Sequence, residues 1–548
     1  MKKSMRRLAV ILLLFTLMVS LLSGCKGGGT EKDKEVSVSN TGTGETKDNS
    51  GTTPGNDKVD VFSYDEKMKV KIAVMTGFTQ SDSWNEKRLE EKYNIDIELV
   101  VLPGWADGQA KINLLMADEK ERPDIIWWWS MDNEFVQWVN SGLLVDVAPY
   151  MEKYTNIRDY YNKMDEKTLF YASSGNGSIY RIPGDVAEPS CEVTWIRKDW
   201  LDNLGLKVPG TLDELSDVIR AFTLDDPDGN GVDDTYGLGG DGYDFRSFWP
   251  FIQAYGDSHY DRFMVDEQGT VSYGPANPNT KEWIGKVAEL YKEGCITPNI
   301  VTDTDRDQEM AKGGFGVTYS WVAYANKETS ATMKSFYDNN PDAEWIPIDM
   351  VSGPNGNPEE DPATSSAWAY FGITNKCSDP ERLYAIYDDM CSLENYKERY
   401  FGMEGQHYKL VDGKYNAIIG PESQENEDQN IGLKLFDNLF NRKDEGNLAN
   451  TPEAAELFKK SAENSRDYAS KLVEWKDPTK FTTWLEYGTD IGDLKNEYLW
   501  GVIAGTKSLN DWDTYIAELN AAGLTEVLEE AQTLYAEQKA EMDKFFAQ

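Results

Sequence analysis

Nine consecutive residues, Asp226-Pro227-Asp228-Gly229-Asn230-Gly231-Val232-Asp233-Asp234, have the types and spacing of a cation site. In a D-x-D-x-N-G loop, oxygens at positions 1, 3, 5 and 9 and the carbonyl at position 7 converge, because the glycine at position 6 allows a sharp turn. The ligands would be Asp226, Asp228, Asn230, the Val232 carbonyl and Asp234, and the ion a structural calcium. The bidentate glutamate of a full EF-hand is missing, since Gly237 stands in its place, so a complete EF-hand is excluded. Carboxylates this crowded repel one another unless a cation neutralises them. The competing reading is a solvated acidic turn.

Immediately downstream, Gly237-Leu238-Gly239-Gly240-Asp241-Gly242 formally fits G-x-G-x-x-G. No helical pattern follows it, and Asp241 and Asp244 would repel a pyrophosphate, so a strand running into a turn is expected rather than a dinucleotide site. No G-x-x-x-x-G-K-[ST], H-E-x-x-H or G-x-S-x-G motif occurs. The two histidines, His259 and His407, leave little room for a His-rich zinc site or a His-dependent triad. A glycosidase needs two carboxylates across a cleft. Among 95 acidic residues some close pair is guaranteed, so proximity decides nothing.

The other chemical signal is aromatic: 17 Trp, 29 Tyr and 20 Phe. Sugar rings offer apolar C–H faces to such platforms, while their hydroxyls need polar partners. Trp127-Trp128-Trp129-Ser130 falls where a strand should end. Alternation sends neighbouring side chains to opposite faces, so Trp128 or Trp129 is expected to face a ligand. Trp84 at a helix start, Trp249 in Phe248-Trp249-Pro250, and Trp321 after a Gly-rich strand are further candidates. Core packing is the competing reading for each.

These residues need elements to hold them. Val70–Met75 alternates as a strand, Ser83-Trp84-Asn85-Glu86 has the form of a capping box opening a helix, and Ile95–Leu102 is β-rich. A helix around 109–117, a short buried strand at Pro123–Trp127 and a helix from Asp132 to Asn140 follow. Strands alternating with helices predict a parallel sheet of βαβ units, with ligands beyond the carboxyl ends of its strands. Glu192–Ile196 reads as a strand, and Thr211-Leu212-Asp213-Glu214 as a second capping box. After it, Leu212, Leu215, Val218, Ile219 and Phe222 share one helical face. Leu524, Val527, Leu528, Ala531, Leu534 and Tyr535 form a stripe expected to pack on a lobe.

The N-terminus reads differently. Lys2, Lys3, Arg6 and Arg7 precede an uncharged run from Leu8 to Leu22, a secretory signal too short for a permanent spanning helix. Leu22-Ser23-Gly24-Cys25 follows and resembles the bacterial lipobox, whose cysteine is acylated and becomes the new N-terminus. Residues 26–60 lack the apolar area to offset ordering entropy and read as a flexible tether. Cys191, Cys295, Cys377 and Cys391 match no metal pattern; buried free thiols are expected, with a Cys377–Cys391 bridge left open. A net charge of −40 argues against nucleic acid and against docking on anionic lipid by charge.

Further motifs carry a resemblance: Tyr180-Arg181-Ile182-Pro183, Trp195-Ile196-Arg197-Lys198-Asp199-Trp200-Leu201, Leu204-Gly205-Leu206-Lys207-Val208-Pro209, Gly314-Phe315-Gly316-Val317-Thr318 before Trp321, Ile503-Ala504-Gly505-Thr506 before Trp512, and Gly523-Leu524. With the lipobox and tether, their order from about Phe62 onward resembles the extracellular solute-binding proteins, family 1, carbohydrate-capturing lipoproteins of ABC importers in their long Gram-positive branch. The resemblance implies a two-lobed, α/β, periplasmic-binding-protein-like fold of type II. Each lobe is then a sheet flanked by helices, discontinuous in sequence and joined by a hinge. The expected divisions are a signal peptide at 1–25, tether at 26–60, first lobe at 61–180 and 367–430, and second lobe at 181–366 and 431–548. Crossings are expected near Ser178–Asp185 and Pro362–Tyr370. They bring Trp368 and Asp185 into the candidate site, Asp185 as an acceptor for hydroxyls, with a solvated loop carboxylate as its competing reading. Relatives carry a similar calcium loop with an acid after the position-9 aspartate; Thr235 stands there in this chain and weakens the match.

The implied function is non-enzymatic. A monomeric receptor, lipid-anchored at Cys25 on the outer membrane face, captures an oligosaccharide and hands it to ABC permease subunits. The acidic charge favours a neutral sugar. The alternatives are a secreted glycoside hydrolase using a carboxylate pair, and a surface adhesin.

Overall fold

The computed structural model describes residues 64–75, 81–164, 167–174, 177–184, 192–256, 259–302, 306–321, 324–325, 331–354, 367, 369–411, 414–420, 423–433, 435–436, 439–440 and 471–547, all within the compact unit Asp60–Gln548. The expected signal peptide, tether, Cys25, Asp185, Cys191 and Trp368 lie outside the described residues. In chain order the described strands are β1 (Met68–Val74), β2 (Ile95–Val101), β3 (Ile125–Trp129), β4 (Ile182–Pro183), β5 (Glu192–Arg197), β6 (Tyr236–Leu238), β7 (Phe263–Val265), β8 (Val271–Tyr273), β9 (Phe315–Trp321), β10 (Trp345–Ile348), β11 (Ala369–Ile373), β12 (Tyr408–Val411) and β13 (Lys414–Ala417).

Two main sheets organise the fold. The first has the order β2-β1-β3-β11-β4, and the second β10-β5-β9-β6. All of β3 is buried, as a continuous apolar run should be when helices cover both faces of a sheet. β1 runs parallel to β2 and β3. The all-parallel expectation fails at β11, which lies antiparallel to both β3 and β4. The reason is topological: β11 follows β10 of the other sheet and so enters from that side. In the second sheet β5 is antiparallel to β9 and β10, while β6 is parallel to β9.

Local signals act as chemistry dictates. Ser83 accepts a hydrogen bond from the Glu86 N–H at 3.1 Å and opens the helix Trp84–Tyr93. Thr211 and Glu214 form a complete capping box on the helix Leu212–Leu224, and Leu212, Leu215, Val218, Ile219 and Phe222 are its buried stripe.

Each sheet has its own hydrophobic core. The first gathers Val70, Ile72, Ile125–Trp129, Phe371 and Tyr387, together with Leu435, Phe436, Leu439 and Phe440. The second gathers Ile219, Phe248, Trp283, Val317, Leu499 and Val527. Two expected boundaries therefore shift. β4, at 182–183, belongs to the first sheet, whereas the second lobe was expected from 181. Leu435, Phe436, Leu439 and Phe440 pack in the first core, past the return expected at 431, and Val473 packs in the second. Apolar periodicity cannot show which of two cores a stretch joins. Leu524, Val527 and Ala531 pack on the second core, and Phe545, near the end of the same helix, lies 5.6 Å from the Phe170 ring beside the first. Cys295, Cys377 and Cys391 are buried and none is in a disulfide, so Cys377 and Cys391 form no bridge. Among the described residues no helix is long and apolar enough to cross a membrane.

Candidate functional site

Strand register defines the edge of each sheet that the chain crossings join. β4 is antiparallel to β11 and β11 to β3, so β3 and β4 end at one edge, with Trp129 opposite Ala369. In the second sheet Glu192 pairs with Trp321, and Thr194 with Ile348. Both the step from Pro183 to Glu192 and that from Ile348 to Ala369 therefore link this first edge to the Glu192–Trp321 edge. The Pro183–Glu192 step spans at most about 30 Å, which bounds the separation of the two edges.

On the first edge, alternation within β3 is realised. Trp127 and Trp129 share a face with ring centroids 5.0 Å apart, while Trp128 turns to the other. Trp128 is 1% exposed and packs on Phe135, Trp138 and Tyr370, so it is a core residue with no open ring face. Trp129 is the member at the edge, mostly buried, followed by Ser130 in a left-handed conformation (φ 48°) that redirects the chain. Trp84 is half-buried at the first turn of its helix, with His407 at 4.8 Å and the Arg88 guanidinium at 5.8 Å. Trp249, expected at the site, is 2% exposed and packs on His259, Tyr260 and Tyr319. Its proline-initiated helix turns the indole into the second core, and the indole N–H has no hydrogen-bond partner among the described residues. Trp321 is described as the last residue of β9, at the second edge.

The second edge carries a charged cluster that the aromatic reading missed. Glu192 lies 3.9 Å from Arg246, which is held at 2.7 Å by Asp244. Burial pushes the Glu192 carboxyl up, and Arg246 and Arg306 oppose that shift. The Arg306 backbone N–H donates to Asp241 at 3.1 Å, its guanidinium donates to the Tyr319 carbonyl at 3.0 Å, and it lies 4.3 Å from the Tyr324 ring centroid. Asp241 and Asp244, the two acids that argued against a dinucleotide, were the available signal. The glycines around them are explained by packing. A Cβ on Gly239 would lie 2.3 Å from the Phe315 ring, and one on Gly240 2.2 Å from the Ser247 hydroxyl.

Arg181 sits at the crossing. Its guanidinium donates to Asp132 at 2.7 Å, to the Tyr171 carbonyl at 2.7 Å and to the Lys476 carbonyl at 3.4 Å, between the rings of Phe135 and Tyr370. It joins groups of the first lobe to the segment entering the second. A cavity of about 260 Å³ opens alongside, lined by Phe135, Arg181, Trp475, Lys476, Gln538 and Glu541. Lys476 is paired with Glu541 at 2.6 Å, and burial lowers its pKa.

The calcium-type loop is closed on itself. Asp226, Gly229 and Gly231 take the left-handed conformation (φ 49°, 69° and 80°), giving the sharp turn. Asp226 accepts from the Asn230 and Gly231 N–H groups, and the Asn230 amide donates to Asp228 at 2.9 Å and to Asp234 at 3.2 Å. An amide donor thus bridges the carboxylates where a cation could. Burial, then Asp226 and Asp234, raise the Asp228 pKa. Among the described residues no group of three or more His, Cys, Asp or Glu side chains is arranged to hold a metal. The loop's carboxylates are satisfied by its own N–H groups.

Comparison with known proteins agrees with this architecture. The model of the family Bacterial extracellular solute-binding protein matches residues 75–385. Lipoprotein LipO of Bacillus subtilis (strain 168) is 28% identical over 64% of this chain and 70% of its own. The fructooligosaccharide ABC transporter substrate-binding protein FusA of Streptococcus pneumoniae serotype 4 is 28% identical over 54% and 55%. The polygalacturonan/rhamnogalacturonan-binding protein YtcQ of Bacillus subtilis (strain 168) is 26% identical over 62% and 66%. The chain thus spans from about half to seven-tenths of these relatives' lengths. Among solved structures, the alginate-binding protein AlgQ2 without calcium ion is similar at TM-score 0.63 and 21% identity, over 87% of this chain and 99% of its own. A Bifidobacterium longum infantis solute-binding protein associated with an HMO-binding ABC transporter reaches 0.66 and 21%, over 86% and 99%. A FusA EF-hand mutant in complex with fructo-nystose reaches 0.63 and 20%, over 87% and 100%. The two-lobed fold, the aromatic and charged edges and the family match converge: this chain belongs to the bacterial extracellular solute-binding protein family and is a binding protein, not an enzyme.

Proposed function

We propose that this protein captures an oligosaccharide between its two lobes and passes it, chemically intact, to the permease of an ABC importer. The carrying observation is the register, which sets Trp129 at the end of one sheet and Glu192 and Trp321 at the end of the other. Aromatic faces and polar groups on opposed edges are what a sugar requires. The FusA and YtcQ descriptions support the ligand class. Glu192, Asp241 and Asp244 outnumber Arg246 and Arg306 at the second edge, which favours a neutral sugar over a uronate. Asp185 and Trp368, in or beside the crossings, belong to the same proposed site. Titration calorimetry against fructo-, manno- and galacturono-oligosaccharides tests the reading. Saturable binding without product sugars is expected; release of shorter sugars, or no binder in the panel, would refute it. Trp84→Ala and Trp321→Ala should each weaken binding by about 1 kcal/mol, roughly fivefold, if the rings stack on sugar. An unchanged titration removes that ring from the site.

The anchor is assigned to Cys25, acylated after cleavage of residues 1–24. Labelled palmitate should be incorporated into the wild-type chain and lost in Cys25→Ser, with the protein released to the medium. Two or more acyl chains hold stably where one does not.

The 226–234 loop is assigned a structural calcium, for which the FusA EF-hand description is support. Asp226, Asp228, Asn230, the Val232 carbonyl and Asp234 would hold it, with the Asn230 amide turned to present its oxygen. At about 1 mM calcium and a Kd of about 10⁻⁴ M, binding would add about 1.4 kcal/mol. EDTA should then lower the melting temperature by a few degrees, and Asp228→Asn should abolish the difference. Superimposable melts with and without EDTA would remove the ion.

A further inference from the structure

Tyr243 stands between Asp241 and Asp244 in the turn that follows β6. Tyr243 is 55% exposed, and its backbone is left-handed at φ 55°, a conformation disfavoured for a bulky side chain. Its N–H is fixed to the Ile300 carbonyl at 2.9 Å. Its ring stands edge-on to Trp500 with centroids 5.4 Å apart, and Trp500 is itself stacked on Phe245 at 4.3 Å. A glycine here would relieve the backbone, yet an aromatic is held in the open. Beside it lies an open groove of about 540 Å³, lined by Tyr243, Val301, Asn496, Glu497, Trp500 and Thr506. Glu497 is oriented by Lys507 at 2.7 Å, and the Thr506 hydroxyl donates to the Gly501 carbonyl at 3.2 Å. The volume falls within the range of small-molecule sites, and the lining combines an aromatic face with an amide, a carboxylate and a hydroxyl.

We propose that this groove is an outer saccharide subsite, which receives the far end of a chain whose first rings lie between the lobes. The proposal rests on the oligosaccharide reading and extends it to ligand length. β6 is parallel to β9, so the turn after Leu238 emerges on the side of the second sheet where Trp321 lies. A long glycan leaving the cleft past the edge strand β6 meets Tyr243 next. The subsite makes the receptor selective for longer chains.

The test is calorimetry with fructo-, manno- and galacturono-oligosaccharide ladders on the wild type, Tyr243→Ala, Tyr243→Gly and Tyr243→Phe. Wild type should bind heptasaccharides at least fivefold more tightly than trisaccharides in the ladder it accepts. Tyr243→Ala and Tyr243→Gly should erase that preference while trisaccharide affinity stays within twofold, and Tyr243→Phe should keep it. Tyr243→Gly also relieves the backbone, so it should melt no lower than wild type, which separates lost binding from lost folding. An intact length preference in the alanine and glycine variants overturns the subsite and leaves the cleft reading standing. A wild type that binds trisaccharides and heptasaccharides equally does the same. Binding of none of the three ladders overturns both.

Discussion

Arg181→Ala is expected to lower the unfolding free energy by about 2–4 kcal/mol, seen as a reduced urea midpoint. The side chain is buried and makes charge-assisted bonds to Asp132 and to the Tyr171 carbonyl, each of a kind that contributes about 1.5–3 kcal/mol. The flanking Phe135 and Tyr370 rings add a cation–π share of about 0.5–2 kcal/mol. The partner side chain of Asp132 is 46% exposed, so solvent screening trims the ion-pair share and the lower half of the range is favoured. Arg181→Lys should recover less than half, because an ammonium cannot present a planar fork to Asp132 and to Tyr171 while lying between two rings. The effect should extend to binding: with the bond to the Lys476 carbonyl gone, the lobes lose a fixed pivot, and saccharide affinity should fall although Arg181 is not assigned a sugar contact. A stability change below about 1 kcal/mol would show that the guanidinium is not what fixes the crossing.

Gly237→Ala is expected to cost about 3 kcal/mol or more. A Cβ there would fall 2.0 Å from the Ile219 carbonyl oxygen and 2.6 Å from the Ile219 Cγ2. Overpacking commonly costs about 1–3 kcal/mol, and this case belongs at the upper end because the obstacle is helix backbone, which cannot rotate aside. Gly492→Ala is the control. It lies within the helix Thr482–Ile503 with nothing near the added methyl, so a gain of about 0.5–1 kcal/mol is expected. Chemical unfolding of the two variants checks both signs. If Gly237→Ala matches wild type, the contact between the helix Leu212–Leu224 and β6 is looser than described. The result also bears on function, since it attributes the G-x-G-x-x-G pattern to helix–strand contact and not to a phosphate.

Much of this protein is legible in its sequence because the relevant interactions are local. Ser83 and Thr211 cap helices through partners three residues away, and the stripe Leu212–Phe222 buries itself by a period set by the helix. The 226–234 turn is dictated by its glycines and by Asp226 in the same way. Alternation along β3 foretold that its three tryptophans would divide between two faces. It did not reveal which face holds ligand, since that depends on what covers each. The helix Asp132–Asn140 covers Trp128 with Phe135 and Trp138 and leaves Trp129 at the edge. Trp249 is taken inward for a similar reason, against His259 and Tyr319 from distant segments.

The sequence by itself determined the elements, their caps, their buried stripes and the repertoire of aromatic and acidic groups, because those follow from short-range periodicity and near-neighbour hydrogen bonds. Only the tertiary structure decided that β11 enters antiparallel, that Leu435, Phe436, Leu439 and Phe440 belong with the first core, and that Glu192, Asp241, Arg246 and Arg306 meet at one edge. Those outcomes depend on chain crossings between two cores of equal apolar character, a choice made by long-range register and the short reach of the connecting chain.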